Sequence, residues 1–300
     1  MGKLKIEAII LNYKGLENTL ACLDSLKKCD KDGTKMEVIV VDNNSDDGSS
    51  EALSKIKDID FIENHQNLGY AGGNNIGIKK ALGQNADAVL VLNNDTIVDK
   101  SFLLNLVKSS QYGDIISPKI YFAPGFEFHK SRYTKSQRGK VIWYAGGKID
   151  WGDIIGKHIG VDDVDRGQFS KRKEVDLATG ACMLVKKEVF EKIGFFDEKY
   201  FLYLEDMDFC VRTLKAGFKI LFEPKAIIWH KNAGSAGGSG SVLQDYFITR
   251  NRLIFAFKYA NLRTKLAVLK QTLSQINIQA KRKALVDFAT FNFGKGSFSK

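Results

Sequence analysis

Cysteine is scarce. Cys22, Cys29, Cys182 and Cys210 are the only four in 300 residues, and they form no CxxC pair and no Cys/His cluster. That argues against a disulfide framework or a zinc site and fits a reducing, cytoplasmic compartment. Long hydrophobic runs are missing too. After Lys3 and Lys5 the first apolar run, Ala8 to Leu11, is broken by Asn12 and is too short for the core of an export signal. No uncharged apolar stretch approaches the roughly 20 residues of a spanning helix, so any membrane contact is expected to be peripheral. Neither GxGxxG nor a P-loop motif occurs, so a dinucleotide-binding oxidoreductase or a P-loop NTPase loses its usual warrant. There is no internal repeat.

The 44% hydrophobic and 27% charged content supplies a sizeable core for one large α/β domain or two small ones, which excludes disordered and fibrous classes. Forty-five Lys and Arg against 35 Asp and Glu leave a net +10, which points to an anionic partner: nucleotide, nucleic acid or lipid. Most of that charge sits at one end. From residue 262 on, Arg263, Lys265, Lys270, Lys281, Arg282, Lys283, Lys295 and Lys300 face only Asp287, a local +7. A nucleic-acid module would instead interleave basic and aromatic residues across a binding face, so no nucleic-acid partner is expected.

The first 120 residues alternate β-rich runs with helical patterns. Strands are expected at Ile6 to Leu11, Val38 to Val41, Asp60 to Ile62, Ala88 to Leu92 and Ile115 to Ile120. This βαβα order predicts an α/β, doubly wound, mainly parallel sheet with helices on both faces. Residues 121–173 read as an irregular insertion with one hairpin around Val141 to Trp151, and no role is assigned to them. Helices are expected near Lys187 to Ile193 and Leu204 to Ala216, then two strands, Lys219 to Glu223 and Ala226 to Trp229, separated by Pro224. A Gly/Ser-rich stretch, Gly234 to Ser241, ends a first unit at about 1–241, which divides near residue 120. A helical basic extension, 242–300, follows. In it Leu262, Leu266, Leu269, Leu273, Ile276, Ala280, Ala284, Phe288 and Phe291 make one apolar stripe, which would either pack on the preceding unit or a second subunit or lie on an anionic membrane surface.

In open α/β sheets ligands bind outside the carboxyl ends of the strands. Polar residues follow three expected strands directly: Asn12-Tyr13, Asp42 to Gly48, and Asn93-Asn94-Asp95. Each alone is ordinary turn chemistry; three on one sheet edge imply a binding crevice. Asn67 to Asn75, containing Gly69, Gly72, Asn74 and Asn75, leads into a helix whose N-terminus and bare backbone could hold phosphate, or whose glycines could simply pack on a strand. Glu205, Asp206 and Asp208 open another helix beside Tyr200, Phe201 and Tyr203, a partly desolvated acidic site or dipole-favoured helix-start acids. His230, one of four histidines, follows a strand and is a candidate imidazole metal ligand, although a lone histidine is commonly structural.

Taken in order from Ile6 to about Asn251, these residues resemble family 2 glycosyltransferases with the GT-A fold. Ile9-Ile10-Leu11-Asn12-Tyr13 is similar to the family's first strand and Val40-Val41-Asp42-Asn43-Asn44-Ser45 to its second. Asn67 to Asn75 resembles the nucleotide-sugar loop of the rhamnosyl- and galactofuranosyltransferase branch. Asn93-Asn94-Asp95 stands at the metal motif, where only one of the usual two carboxylates is present, as in that branch. Thr179-Gly180-Ala181, Glu205-Asp206 and Trp229-His230 resemble the acceptor-side segment, the catalytic segment and the late metal ligand, and Tyr246, Arg250 and Asn251 a further shared segment.

The resemblance implies an inverting hexosyltransferase using a divalent metal, Mg or Mn, on Asp95 and His230. The base would be Asp206, with Glu205 as alternative, because a diphosphate leaves without a protonating acid. Asp42 would meet the pyrimidine or ribose with Asn12 close by, and Arg250 a diphosphate. The donor would be dTDP-rhamnose first and a UDP-sugar (galactofuranose or N-acetylhexosamine) second. The acceptor would be a lipid-diphosphate-linked glycan for a cell-surface polysaccharide, extended by an enzyme peripheral on the cytoplasmic membrane face. The competitors are a non-catalytic basic membrane-binding module and a nucleotidyltransferase. The latter lacks its usual glycine- and Lys/Arg-rich first loop, since only Asn12-Tyr13-Lys14-Gly15 follows the first strand.

Overall fold

The computed structural model describes residues 4–31, 33–232 and 240–298. The chain begins β1 (Lys5–Asn12), α1 (Leu16–Lys28), β2 (Lys35–Asp42), α2 (Ser49–Ser54), β3 (Asp60–Glu63), α3 (Gly69–Gly83), β4 (Ala88–Asn93), β5 (Thr96–Val98), α4 (Phe102–Ser109) and β6 (Ile115–Phe122). It continues β7 (Ile142–Tyr144), β8 (Gly147–Asp150), β9 (Ile155–His158), β10 (Lys173–Glu174), β11 (Cys182–Lys186), α5 (Lys187–Ile193), α6 (Glu205–Lys215) and β12 (Ile220–His230), and closes with α7 (Val242–Tyr259), α8 (Leu262–Leu273) and α9 (Gln279–Ala289).

Ile9, Ile10, Val40, Val41, Val89 and Val91 have no exposed surface, as strands covered on both faces require. The strand order is β10-β12-β6-β11-β4-β1-β2-β3, with β5 on β12 and β7 on β6. β1 runs parallel to β2 and β4, so Asn12 pairs with Asp42 and Leu11 with Asn93 at one carboxyl edge. β11 is antiparallel to both β4 and β6, and β12 is parallel to β6, so β12 points the same way as β4 and delivers His230 to that same edge.

Three expectations are corrected. Pro224 does not separate two strands: β12 is continuous, and the proline lies in the irregularity between Glu223 and Ile227, where its missing N–H is tolerated. The hairpin expected around Val141 to Trp151 is split at Gly146, whose φ is +100°; β7 joins the main sheet on β6, and the hairpin is β8–β9. The tail is not one stripe. α8 and α9 are separate helices, Ala280 and Ala284 are buried, and Leu262, Leu266, Leu273, Ile276 and Phe291 are exposed. β5 and β11 had no counterpart among the expected strands, being short and, for β11, buried with no alternation. Most of the Gly/Ser-rich stretch lies outside the described residues. Beyond it α7 packs Leu253, Ile254, Phe255 and Ala256 into the main core.

Candidate functional site

The crevice floor is a lattice of amides and one carboxylate. Asn12 Nδ2 donates to Asp42 Oδ1 at 2.6 Å, and Ser45 N donates to Asp42 Oδ2 at 2.8 Å. Thr19 Oγ1 donates to Asn12 Oδ1 at 2.8 Å, and Asn94 Nδ2 to Thr19 Oγ1 at 3.0 Å. Asp42 and Asn12 are fully buried, while Asn93 and Asn94 stay partly open. In this geometry each Asp42 carboxylate oxygen accepts one hydrogen bond, and the two together fix Asn12 and the turn at Ser45.

The glycine-rich segment is positioned by Asn43. Its Nδ2 donates to Asn67 Oδ1 and Gly69 O, each at 3.0 Å, while its Oδ1 accepts from Asn64 Nδ2 at 3.0 Å and Leu68 N at 3.1 Å. The first N–H groups of α3 are already engaged. Tyr70 N and Ala71 N donate to Phe201 O at 2.7 and 3.2 Å, which corrects the expectation that this helix start cradles phosphate. Its glycines allow close packing: a Cβ at Gly69 would lie 2.4 Å from Phe201 O, and one at Gly73 would lie 2.5 Å from the Leu11 side chain. Gly72 sits against Leu68 and Glu198. Asn74 Nδ2 donates to Tyr70 O at 2.9 Å, and Asn75 ties α3 to Phe196, donating to its carbonyl at 2.9 Å and accepting from its N–H at 3.1 Å.

The acids come next. Residues 179–181 bridge the two chemical ends of the crevice. Asn93 N donates to Ala181 O at 2.9 Å, and Gly180 N donates to Asp206 Oδ2 at 2.9 Å. Thr179 Oγ1 closes the turn by accepting from Ala181 N at 3.3 Å. Tyr70 OH donates to Gly180 O at 2.5 Å. Burial pushes the Asp206 carboxyl above its ordinary range, opposed by the N–H groups of Gly180 and Met207. Burial, then the adjacent Asp206 charge, push Glu205 well above its ordinary range, and its Oε2 has no hydrogen-bond partner. Asp208 differs: Arg212 and Lys258 bridge it at 2.7 Å each and hold its carboxyl below the ordinary range against its burial, so it is structural.

On the other side, antiparallel pairing of β5 with β12 sets Thr96 opposite His230. Asp95, one residue earlier, thereby has Oδ1 2.9 Å from His230 Nε2. The Trp143 ring stands edge-on to His230 at 4.7 Å and to His158 at 4.5 Å. Burial holds His158 neutral, lowering its pKa to about 4. No group of three or more His, Cys, Asp or Glu that could hold a metal forms among the described residues. Asp95 and His230 converge as a two-ligand, hard-and-borderline donor set. A divalent cation accepts both donor types.

Arg250 is not at the crevice. It is fully buried on α7, donating to Lys199 O and Tyr200 O at 3.2 Å each. Asn43, Tyr70 and Trp143 carry geometry that sequence reasoning had not assigned to them, and Asn251, expected with Arg250 to meet a diphosphate or lie on a helix surface, is buried against the 200–203 carbonyls.

The family described as Glycosyl transferase family 2 matches residues 7–194. The low-salt glycan biosynthesis hexosyltransferase Agl10 of Haloferax volcanii is 31% identical over 218 residues, 72% of this chain and 63% of that protein. The dTDP-rhamnosyl transferase RfbF of Shigella flexneri is 27% identical over 226 residues, 75% of this chain and 68% of its own length. The chain thus spans just under two thirds of the first relative. Among solved structures, GalNAc-T7 with UDP, GalNAc and Mn2+ superposes with a TM-score of 0.64 at 14% identity, covering 96% of this chain and 58% of that one. Mannosyltransferase PcManGT from Pyrobaculum calidifontis, with GDP-Man and Mn2+, gives 0.55 at 14% identity, covering 99% and 77%. At such identity the likeness is one of fold.

Proposed function

The chain belongs to glycosyl transferase family 2 and has the GT-A fold, and from that premise we propose that it is an inverting hexosyltransferase moving a sugar from a nucleotide diphosphate to a glycan hydroxyl. The observation that carries this reading is the 179–181 bridge, which binds the Asp95 strand end on one side and the Asp206 carboxylate on the other. A leaving-group site and a base thus share one frame.

Asp206, oriented by Gly180 N–H and Met207 N–H, takes the proton of the acceptor hydroxyl as that oxygen bonds to the anomeric carbon and the carbon–diphosphate bond breaks. Glu205 is the alternative base. A divalent cation, Mg or Mn, on Asp95 and His230 would neutralise charge at the leaving diphosphate. Asn93 and Asn94 line the nucleotide side on the floor fixed by Asn12 and Asp42. Asn67, Gly69, Gly72, Asn74 and Asn75 shape that pocket from behind, and Arg250 holds the 199–200 backbone on the acid side. Thr179, Gly180 and Ala181 face the acceptor.

The favoured donor is dTDP-rhamnose, supported by the branch resemblance and the likeness to a dTDP-rhamnosyl transferase; a UDP-sugar is second. The acceptor reading is a lipid-diphosphate-linked glycan of a cell-surface polysaccharide, met by an enzyme peripheral on the inner membrane face. No helix among the described residues is long and apolar enough to cross a membrane. Calorimetry against both donors with Mn2+ tests the donor order: tighter binding of a UDP-hexose than of dTDP-rhamnose overturns it.

A further inference from the structure

Phe201, Tyr203 and Leu204 are non-glycine residues at φ of +61°, +69° and +68°. Three left-handed side-chain-bearing residues within four positions are costly and persist only where the surroundings fix them. The turn ends at the N-terminus of α6, where Glu205 and Asp206 emerge.

Every carbonyl from Lys199 to Leu204 has a donor. Asn251, fully buried on α7, sets Nδ2 2.8 Å from the carbonyls of Tyr200, Leu202 and Tyr203, which share its two N–H groups. Arg250 donates to Asn251 Oδ1 from Nε at 3.1 Å and Nη2 at 3.0 Å, which fixes the amide with its NH2 toward the turn. Arg250 also reaches Lys199 O and Tyr200 O. Phe201 O is left for the start of α3, and Gly294 N takes Lys199 O at 2.9 Å.

We infer that Asn251, oriented by Arg250, is a positioning residue for the transfer: it holds the strained 199–204 turn in the shape that aims the Asp206 carboxylate. The inference rests on the reading of Asp206 as base. It assigns the Arg250–Asn251 pair to the protein's own backbone rather than to a ligand.

The test uses the full chain with Asn251→Leu, which keeps the branched shape and removes the donors, and Asn251→Ser as a milder second variant. Leu253→Ala, a buried position on the same helix that the site does not use, is the control. The expected result is a kcat lowered on the order of 100-fold in Asn251→Leu, and lowered in Asn251→Ser, with donor Kd by calorimetry within about threefold. Leu253→Ala should lower Tm and leave kcat per folded molecule within about threefold of the parent. If Asn251 variants lose kcat only in step with their folded fraction, or keep it, the inference is overturned. Should Asp206→Asn retain turnover, the base reading fails instead; an inactive Asp206→Asn beside a fully active Asn251→Leu sinks the positioning role alone.

Discussion

At Asp206 two backbone donors oppose burial, and burial wins, so the carboxyl keeps its proton to higher pH than an exposed aspartate. Glu205, buried beside it with an unpartnered oxygen, is displaced further in the same direction, so the two titrate as a unit. The base form appears only as pH rises, and the acid limb of kcat should lie above the ordinary carboxylate value of about 4; a limb at or below that value would show an exposed base. Asp206→Asn should keep donor binding and lose transfer by on the order of 100-fold, measured by initial rates alongside calorimetry. Near-normal turnover there, with collapse in Glu205→Gln, would move the role to Glu205. The same displacement has a stability consequence. Because the folded state holds the Glu205 proton more tightly than the unfolded one, stability from this group falls as pH rises beyond the unfolded pKa. Glu205→Gln should therefore melt higher than the parent at pH 8, with the gain closing toward pH 4. Asp95, Asp206 and His230 drew attention because polar residues directly after apolar strands, or opening a helix, stand out in sequence, and the structure sets Asp95 against His230. The role of Asn43 was not legible, and Asn251 was picked out only as a diphosphate contact, since an amide that pairs with several backbone groups looks in sequence like any turn or helix-surface asparagine. Arg250 pointed to a diphosphate by resemblance, and its burial turns it inward.

Between elements, the closest junction is α3 against the 199–204 turn. Gly69 at φ +72°, with Phe201 O where its Cβ would be, admits no side chain. Gly69→Ala should cost about 1–3 kcal/mol of stability, read from urea midpoints, and should lower kcat because the turn and α3 must separate. An unchanged midpoint would mean that the junction is loose. β1, β2, β4 and β6 were legible because each carries at least three consecutive buried apolar residues and is flanked by turn chemistry. β5 has only three residues, and β11 reads as a continuation into α5, so neither left a period to detect. Pro224 misled because a proline ordinarily ends a central strand, whereas here a bulge absorbs it.

Across the whole molecule, the C-terminal helices have two unlike sides. The inner side shares the core: Tyr246 OH and Ser297 donate to the buried Asp287 carboxylate, and Ala280 and Ala284 pack with Tyr246 and Phe247. The outer side leaves Leu262, Leu266 and Leu273 70%, 56% and 48% exposed, in a stretch with no acid between Asp245 and Asp287. That composition suits an anionic bilayer surface, at about 1 kcal/mol per basic residue near it. Deleting 262–300 would strip the inner packing as well, so Leu262→Glu with Leu266→Glu is the cleaner variant. Co-sedimentation with vesicles containing anionic lipid should fall with salt and in that variant, while equal sedimentation of variant and parent would remove these helices as the anchor. All of this depends on the chemistry at the sheet edge. The decisive measurement is nucleoside diphosphate release from dTDP-rhamnose and UDP-hexoses in Mn2+, for the parent, Asp95→Ala and His230→Ala. Release from at least one donor by the parent, lost on chelation and in both variants, is the expected result; no release from any donor by folded parent, or release indifferent to chelation and to both substitutions, would contradict it.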